Sequence, residues 1–232
     1  MATFVLVIGA WHGGWAWKRV APLLRTAGHT VFTPTLTGLA DRQHLASDDV
    51  DLTTHVTDVV NLVDYEDLSD IVLVGHSYSG FVITGVAAER ADKISHLIFL
   101  DAFIPNKDGE TFVQNVGPVA EAMVSGPDWR VAVPDPPVGD FDVTDAADLA
   151  WIKAKMTPHP RGTMTEGVKV TVPIEALAFK RTYVRTSDSP FFLEAASRVK
   201  DRPEWQYREL LAGHDSMVTQ PDDLTKLLLA LA

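Results

Sequence analysis

A chain of 232 residues can form one α/β domain with a modest insertion, and having no cysteine it excludes disulfides, thiolate catalysis and cysteine-ligated metal centres. Its 31 acidic side chains outnumber 20 basic ones for a net charge of −11, which leaves no electrostatic footprint for nucleic acid or an anionic membrane. No apolar run approaches a membrane span and no basic stretch precedes the first one, so the expectation is a soluble, cytoplasmic protein with a small-molecule partner and neither nucleic acid nor membrane.

Thr3 to Ile8 reads as a short buried strand, followed by a loop of glycines and bulky rings, Gly9-Ala10-Trp11-His12-Gly13-Gly14-Trp15. Val20, Leu23, Leu24 and Ala27 recur at helical spacing within residues 16–27, and Gly28 is placed to stop that helix. A strand over 30–33 leads into a long polar loop. Val56, Val59, Val60 and Val63 then put one apolar stripe on a helix starting near Thr53. The run Ile71-Val72-Leu73-Val74 suits a strand buried on both faces, and Gly75-His76-Ser77-Tyr78-Ser79-Gly80 suits a sharp turn into a helix ending near Arg90. Ile94 to Leu100 is the next strand, with Asp101, Ala102 and Phe103 at its end. This alternation predicts βαβ units and a mainly parallel sheet.

The rhythm breaks over residues 106–179, which are rich in proline yet too apolar, with Trp129, Trp151, Met156 and Phe179, for a solvated tether. They read as a cap, or lid, inserted into a core made of residues 1–105 and 180–232. Only residues 146–155 predict a helix there. The sheet resumes over 182–186, a helix follows over about 190–199, a strand over about 205–210, and a last helix after Pro221 carries Leu224, Leu227, Leu228 and Leu231 on one face.

A serine hydroxyl attacks a carbonyl only when a base takes its proton, and the base needs a third group to fix its tautomer. Ser77 lies at the apex of a G-x-S-x-G-like turn in which Ser79 replaces the last glycine. His214, between the last strand and the last helix, is the candidate base. Asp188, just past the preceding strand, is read as the orienting acid, with Asp101 beside the elbow as its rival. The order Ser77, Asp188, His214 is that of an α/β-hydrolase fold. Backbone N–H groups of Ala10 and Tyr78 are the candidate donors to a developing oxyanion. His76 reads as packing in the elbow and His12 as lining a pocket; His29, His44, His55, His96 and His159 read as solvated or capping. No pair of histidines shows ligand spacing with a carboxylate, so no metal and no cofactor is expected.

The first loop, the elbow, Phe99-Leu100-Asp101-Ala102-Phe103-Ile104-Pro105, Pro127-Asp128-Trp129 and Gly213-His214 together resemble the α/β-hydrolases grouped around plant methylesterases, salicylate-binding protein and hydroxynitrile lyases. The resemblance implies an acyl-enzyme esterase with Ser77, Asp188 and His214 as triad and Trp129 lining the substrate pocket; Trp11, His12 and Phe103 are the other candidate pocket residues. The lyases of this group use a threonine in the first loop and a lysine after the catalytic histidine, where this chain has Gly9 and Asp215, so the resemblance favours the esterase branch. Ile8 stands where family members carry histidine. A hydroxynitrile lyase and a ligand-binding protein of the same fold with little turnover remain the alternatives. The natural ester is not legible, and neither is the oligomeric state, for which a homodimer stays open.

Overall fold

The structure is a computed structural model in which residues 1–134, 143–186 and 192–232 are described. Six parallel strands form the central sheet in the order β2-β1-β3-β4-β7-β8. They are β1 (Thr3–Val7), β2 (Thr30–Phe32), β3 (Ile71–His76), β4 (Ile94–Leu100), β7 (Lys180–Thr186) and β8 (Gln206–Leu210). Every residue of β3 is buried, and because side chains alternate along a strand both of its faces must be covered. Among the helices that do this, α2 (Leu52–Tyr65) packs on α3 (Ser79–Arg90), and α1 (Ala21–Thr26) packs on α10 (Pro221–Leu231).

The apolar stripe expected on α2 is buried, and the helix opens with a reciprocal cap in which Thr54 N–H donates to Asp51 at 2.7 Å. The single helix expected over 16–27 is instead a 3-10 turn, Gly14–Arg19, followed by α1. Pro22 explains the break, since it has no N–H for a bond back to residue 18 and its ring restricts the residue before it.

Between β4 and β7 lie α4 (Phe112–Val116), α5 (Pro118–Val124), α6 (Ala146–Lys153) and α7 (Gly162–Thr165). They are joined by a small antiparallel pair, β5 (Arg130–Val131) with β6 (His159–Pro160). Two residues per strand are too few to leave an alternation in sequence, which is why no strand was expected there. Polar clamps tie this segment down: Arg19 reaches Asp148 at 2.5 Å, and Glu166 accepts from the Thr53 N–H and hydroxyl at 2.7 and 2.8 Å. α8 (Leu193–Lys200) precedes β8, and two C-terminal helices, α9 (Ser216–Thr219) and α10, follow it. Among the described residues no helix is long and apolar enough to cross a membrane.

The register decides where chemistry can gather. His76 pairs with Leu100, so β3 and β4 end level and Ser77 and Asp101, which follow them, emerge on one carboxyl edge of the sheet; β7, whose Val184 pairs with Leu100, runs on to Thr186.

Candidate active site

Ser77 follows β3 with φ +56°, a left-handed conformation that strains any side chain with a Cβ. The strain is held in place from both sides: the Ser77 carbonyl accepts the N–H of Gly80 at 3.1 Å and of Phe103 at 3.2 Å. The crowding that demands a glycine falls at Gly80, where a Cβ would stand 1.8 Å from the Phe103 carbonyl oxygen. Ser79 fits because its hydroxyl donates to the buried Ile8 carbonyl, so the two departures from the family pattern meet each other.

His214 lies in the loop after β8, its ring between His76, 4.3 Å away, and Phe192, stacked at 4.6 Å and 10°. Its Nδ1–H donates to Asp101 Oδ2 at 2.8 Å, and Asp101 Oδ1 accepts the Thr186 N–H at 3.2 Å. Asp101 is fully buried and His214 nearly so. Asp188, read from sequence as the acid, lies outside the described residues; within them, the carboxylate on His214 is that of its rival, Asp101. The physical reason is adjacency: β4 neighbours β3 and His76 pairs with Leu100, so Asp101, the residue after β4, stands one strand spacing, about 4.8 Å, from the elbow. With Nδ1 carrying the proton, Nε2 is the acceptor nitrogen of the neutral imidazole. His76 Nε2–H donates to the His214 carbonyl at 3.0 Å, and burial, followed by the neighbouring His214, holds His76 well below the ordinary imidazole pKa.

The first loop closes over the serine. A Cβ on Gly9 would lie 2.7 Å from Ser77 Cβ, so only glycine lets this backbone come so near. That approach brings the Gly9–Ala10 peptide to the serine from one side, while Tyr78 follows it on the other. Trp11 is turned back with φ +63°; its N–H donates to His159 Nδ1 at 3.3 Å and its indole N–H to the Val131 carbonyl at 3.3 Å. His12, 2 % exposed, is buried rather than open to a ligand: Nδ1 is 2.8 Å from the Ala10 carbonyl and Nε2 3.4 Å from Asp215. Phe103 packs between Phe112 and Phe192 at 5.0 and 4.6 Å. Trp129 is half-buried beneath the Arg130 guanidinium, 5.3 Å from its ring.

Three histidines read as solvated or capping are buried: His55, His96 and His159. His55 Nε2–H donates to the Thr37 carbonyl at 2.9 Å, and its Nδ1 takes the Tyr78 hydroxyl at 3.1 Å. His159 Nε2–H donates to Thr163 at 2.8 Å. His96 bridges the Leu231 carbonyl and the Thr182 hydroxyl. Burial pushes all three below the usual imidazole pKa, His55 to about 4, so each is a neutral hydrogen-bonding strut.

A parallel sheet whose carboxyl edge presents a strained serine, a histidine and a buried aspartate defines a hydrolase of the α/β class. A family model described as the alpha/beta hydrolase family matches residues 4–227, and the chain belongs to that family. It is 38 % identical over 246 residues to the carbendazim hydrolyzing esterase of Nocardioides sp. (strain SG-4G), with 100 % of both chains covered. It is 36 % identical over 123 residues to methylesterase 2 of Arabidopsis thaliana, a match that covers 48 % of this chain and 43 % of that protein. Its fold superposes on an extracellular alpha/beta-hydrolase from a Paenibacillus species with TM-score 0.86, 24 % identity, and 99 % and 98 % of the two chains covered.

Proposed function

We propose that this chain is a serine carboxylesterase working through an acyl-enzyme on Ser77. The observation that carries the reading is the Asp101–His214 bond beside a serine held at positive φ. His214 Nε2 takes the Ser77 proton as Oγ bonds to the ester carbonyl carbon, and the carbonyl oxygen becomes an oxyanion facing the Ala10 and Tyr78 amides. The C–O bond to the alcohol then breaks, with His214 returning the proton to the leaving oxygen. Water, deprotonated by the same imidazole, releases the acid. Asp101 keeps the imidazole in the productive tautomer, the role assigned from sequence to Asp188.

The ring cluster of Phe103, Phe112 and Phe192, which reaches the His214 face, supports neutral esters with alkyl or aryl groups as substrates. Trp11 and Trp129 are the further substrate contacts in this reading, and residues 106–179 form the cap above them. Given the Nocardioides relative, carbendazim belongs in the substrate panel. The lyase alternative is disfavoured because Asp215, paired with His12, puts an anion next to the base where a departing cyanide would need a cation.

The test is hydrolysis of a series of p-nitrophenyl esters by wild type and Ser77→Ala, with mass spectrometry of the trapped enzyme. Loss of turnover by ~10³ to 10⁶ together with an acyl adduct on Ser77 is expected. Equal, feeble rates in both proteins would refute the esterase reading.

A further inference from the structure

Asp215 and His12 form a buried pair that the mechanism above does not use. Asp215 is fully buried, yet it follows directly on the catalytic histidine in sequence, and the carboxylate oxygen nearest a base is 3.4 Å from His12 Nε2. Burial opposes charge on both groups, but each is outweighed by its partner: the Asp215 carboxylate raises the His12 pKa and His12 lowers that of Asp215. Two opposite charges in the interior cost desolvation that an apolar pair would not, so their presence calls for a structural consequence other than bulk stability.

That consequence lies at the two ends of the pair. His12 Nδ1–H donates to the Ala10 carbonyl at 2.8 Å, while the next N–H in the chain, that of Trp11, donates to His159. The Ala10–Trp11 peptide is therefore clamped by one imidazole on its oxygen and another on its nitrogen, which fixes the direction of the preceding Ala10 amide. At the other end, Asp215 belongs to the same turn as His214, whose carbonyl is held by His76. We propose that His12 and Asp215 are positioning residues that lock the oxyanion-hole loop to the catalytic-base loop, so that the Ala10 N–H and His214 Nε2 address the same reacting carbonyl. The inference rests on the esterase reading and deepens it. It gives the residue after the base a role toward the oxyanion rather than toward the leaving group.

The variants are His12→Gln, Asp215→Asn and the double substitution, which is neutral and close in shape. Active sites are counted with a p-nitrophenyl phosphonate, so that misfolded enzyme is removed from the rate. Each single variant is expected to lose roughly 10²-fold in kcat per titrated site, with KM nearly unchanged. Inhibition by a trifluoromethyl ketone, which forms the tetrahedral adduct, should weaken in step, while binding of the corresponding methyl ketone should not. The double variant should be no worse than the singles, because both remove one linkage. Unchanged kcat, additive losses, or equal weakening of both ketones would overturn the proposal. So would failure of all three variants to fold, which would make the pair purely structural. An inactive wild type would instead bring down the esterase reading, and this inference with it.

Discussion

Replacing Asp101 by Asn tests the central geometry most directly. The carboxylate accepts two N–H donors, from His214 at 2.8 Å and from Thr186 at 3.2 Å, and it is fully buried. Asparagine keeps the volume but offers one acceptor and one NH₂ donor. If its oxygen keeps the Thr186 amide, the NH₂ faces Nδ1, the imidazole turns to the Nε2–H tautomer, and the lone pair that should take the serine proton is gone. Loss of the correct tautomer in a triad costs ~10⁴ in kcat, which is about 5 kcal/mol of transition-state stabilisation. Because Asp101 lies below the reacting groups, KM should change little. The assay is p-nitrophenyl acetate hydrolysis by Asp101→Asn and Asp188→Asn side by side, each normalised to folded protein. Near-wild-type turnover in Asp101→Asn together with collapse in Asp188→Asn would refute the assignment of Asp101 and restore the acid read from sequence.

Burial lowers the His55 pKa to about 4, so its neutral form stabilises the fold at pH values above the unfolded value of about 6.5, and that contribution is lost as pH falls towards 4. The loss amounts to about 3 kcal/mol; urea midpoints between pH 7 and 4 should fall steeply in wild type and less steeply in His55→Gln, and parallel slopes would refute the point. His76, His96 and His159 act in the same direction, whereas His12, whose pKa is raised, stabilises at low pH and loses that contribution as pH rises through its folded value. Gly80→Ala, with its Cβ driven into the Phe103 carbonyl, should destabilise by about 3 kcal/mol, read as a drop in Tm; an unchanged Tm would mean the elbow is looser than described. Phe192→Ala removes the ring stacked on His214, and a contact of about 1 kcal/mol predicts a roughly fivefold loss in kcat/KM; a gain would indicate that the ring hinders the base.

The order of sheet strands and helices was legible because each carries its own signal: short apolar runs in β1, β3 and β4, a 3.6-residue stripe for α2 and α10, and small residues at the elbow. Ser77 and His214 could be placed on the sheet edge from sequence because each sits in a turn that follows a strand signal. The acid could not be chosen by chain order alone: Asp101 follows β4 and bonds His214, while Asp188, favoured by that order, lies outside the described residues. What brings Asp101 to the base is that β4 lies beside β3, and that is a property of the assembled sheet. The buried histidines were missed for a similar reason. His55 falls on the apolar face of α2, one residue before Val56, a position that could have warned of burial, but its partners Thr37 and Tyr78 come from distant parts of the chain.

The hydroxyl of Ser79 ties the start of α3 to the carbonyl of Ile8, the residue just past β1. The bond is made by side chain to backbone, so it holds whatever side chain occupies position 8, and a glycine at position 79 would leave that buried carbonyl unsatisfied at a cost of about 1 to 3 kcal/mol. The elbow and the loop facing it are thus cross-linked inside the core and have no separate, low-energy way to open. Amide hydrogens on both sides of the serine should exchange with solvent only when the whole domain unfolds, and heat should silence the enzyme at its melting point rather than well below it.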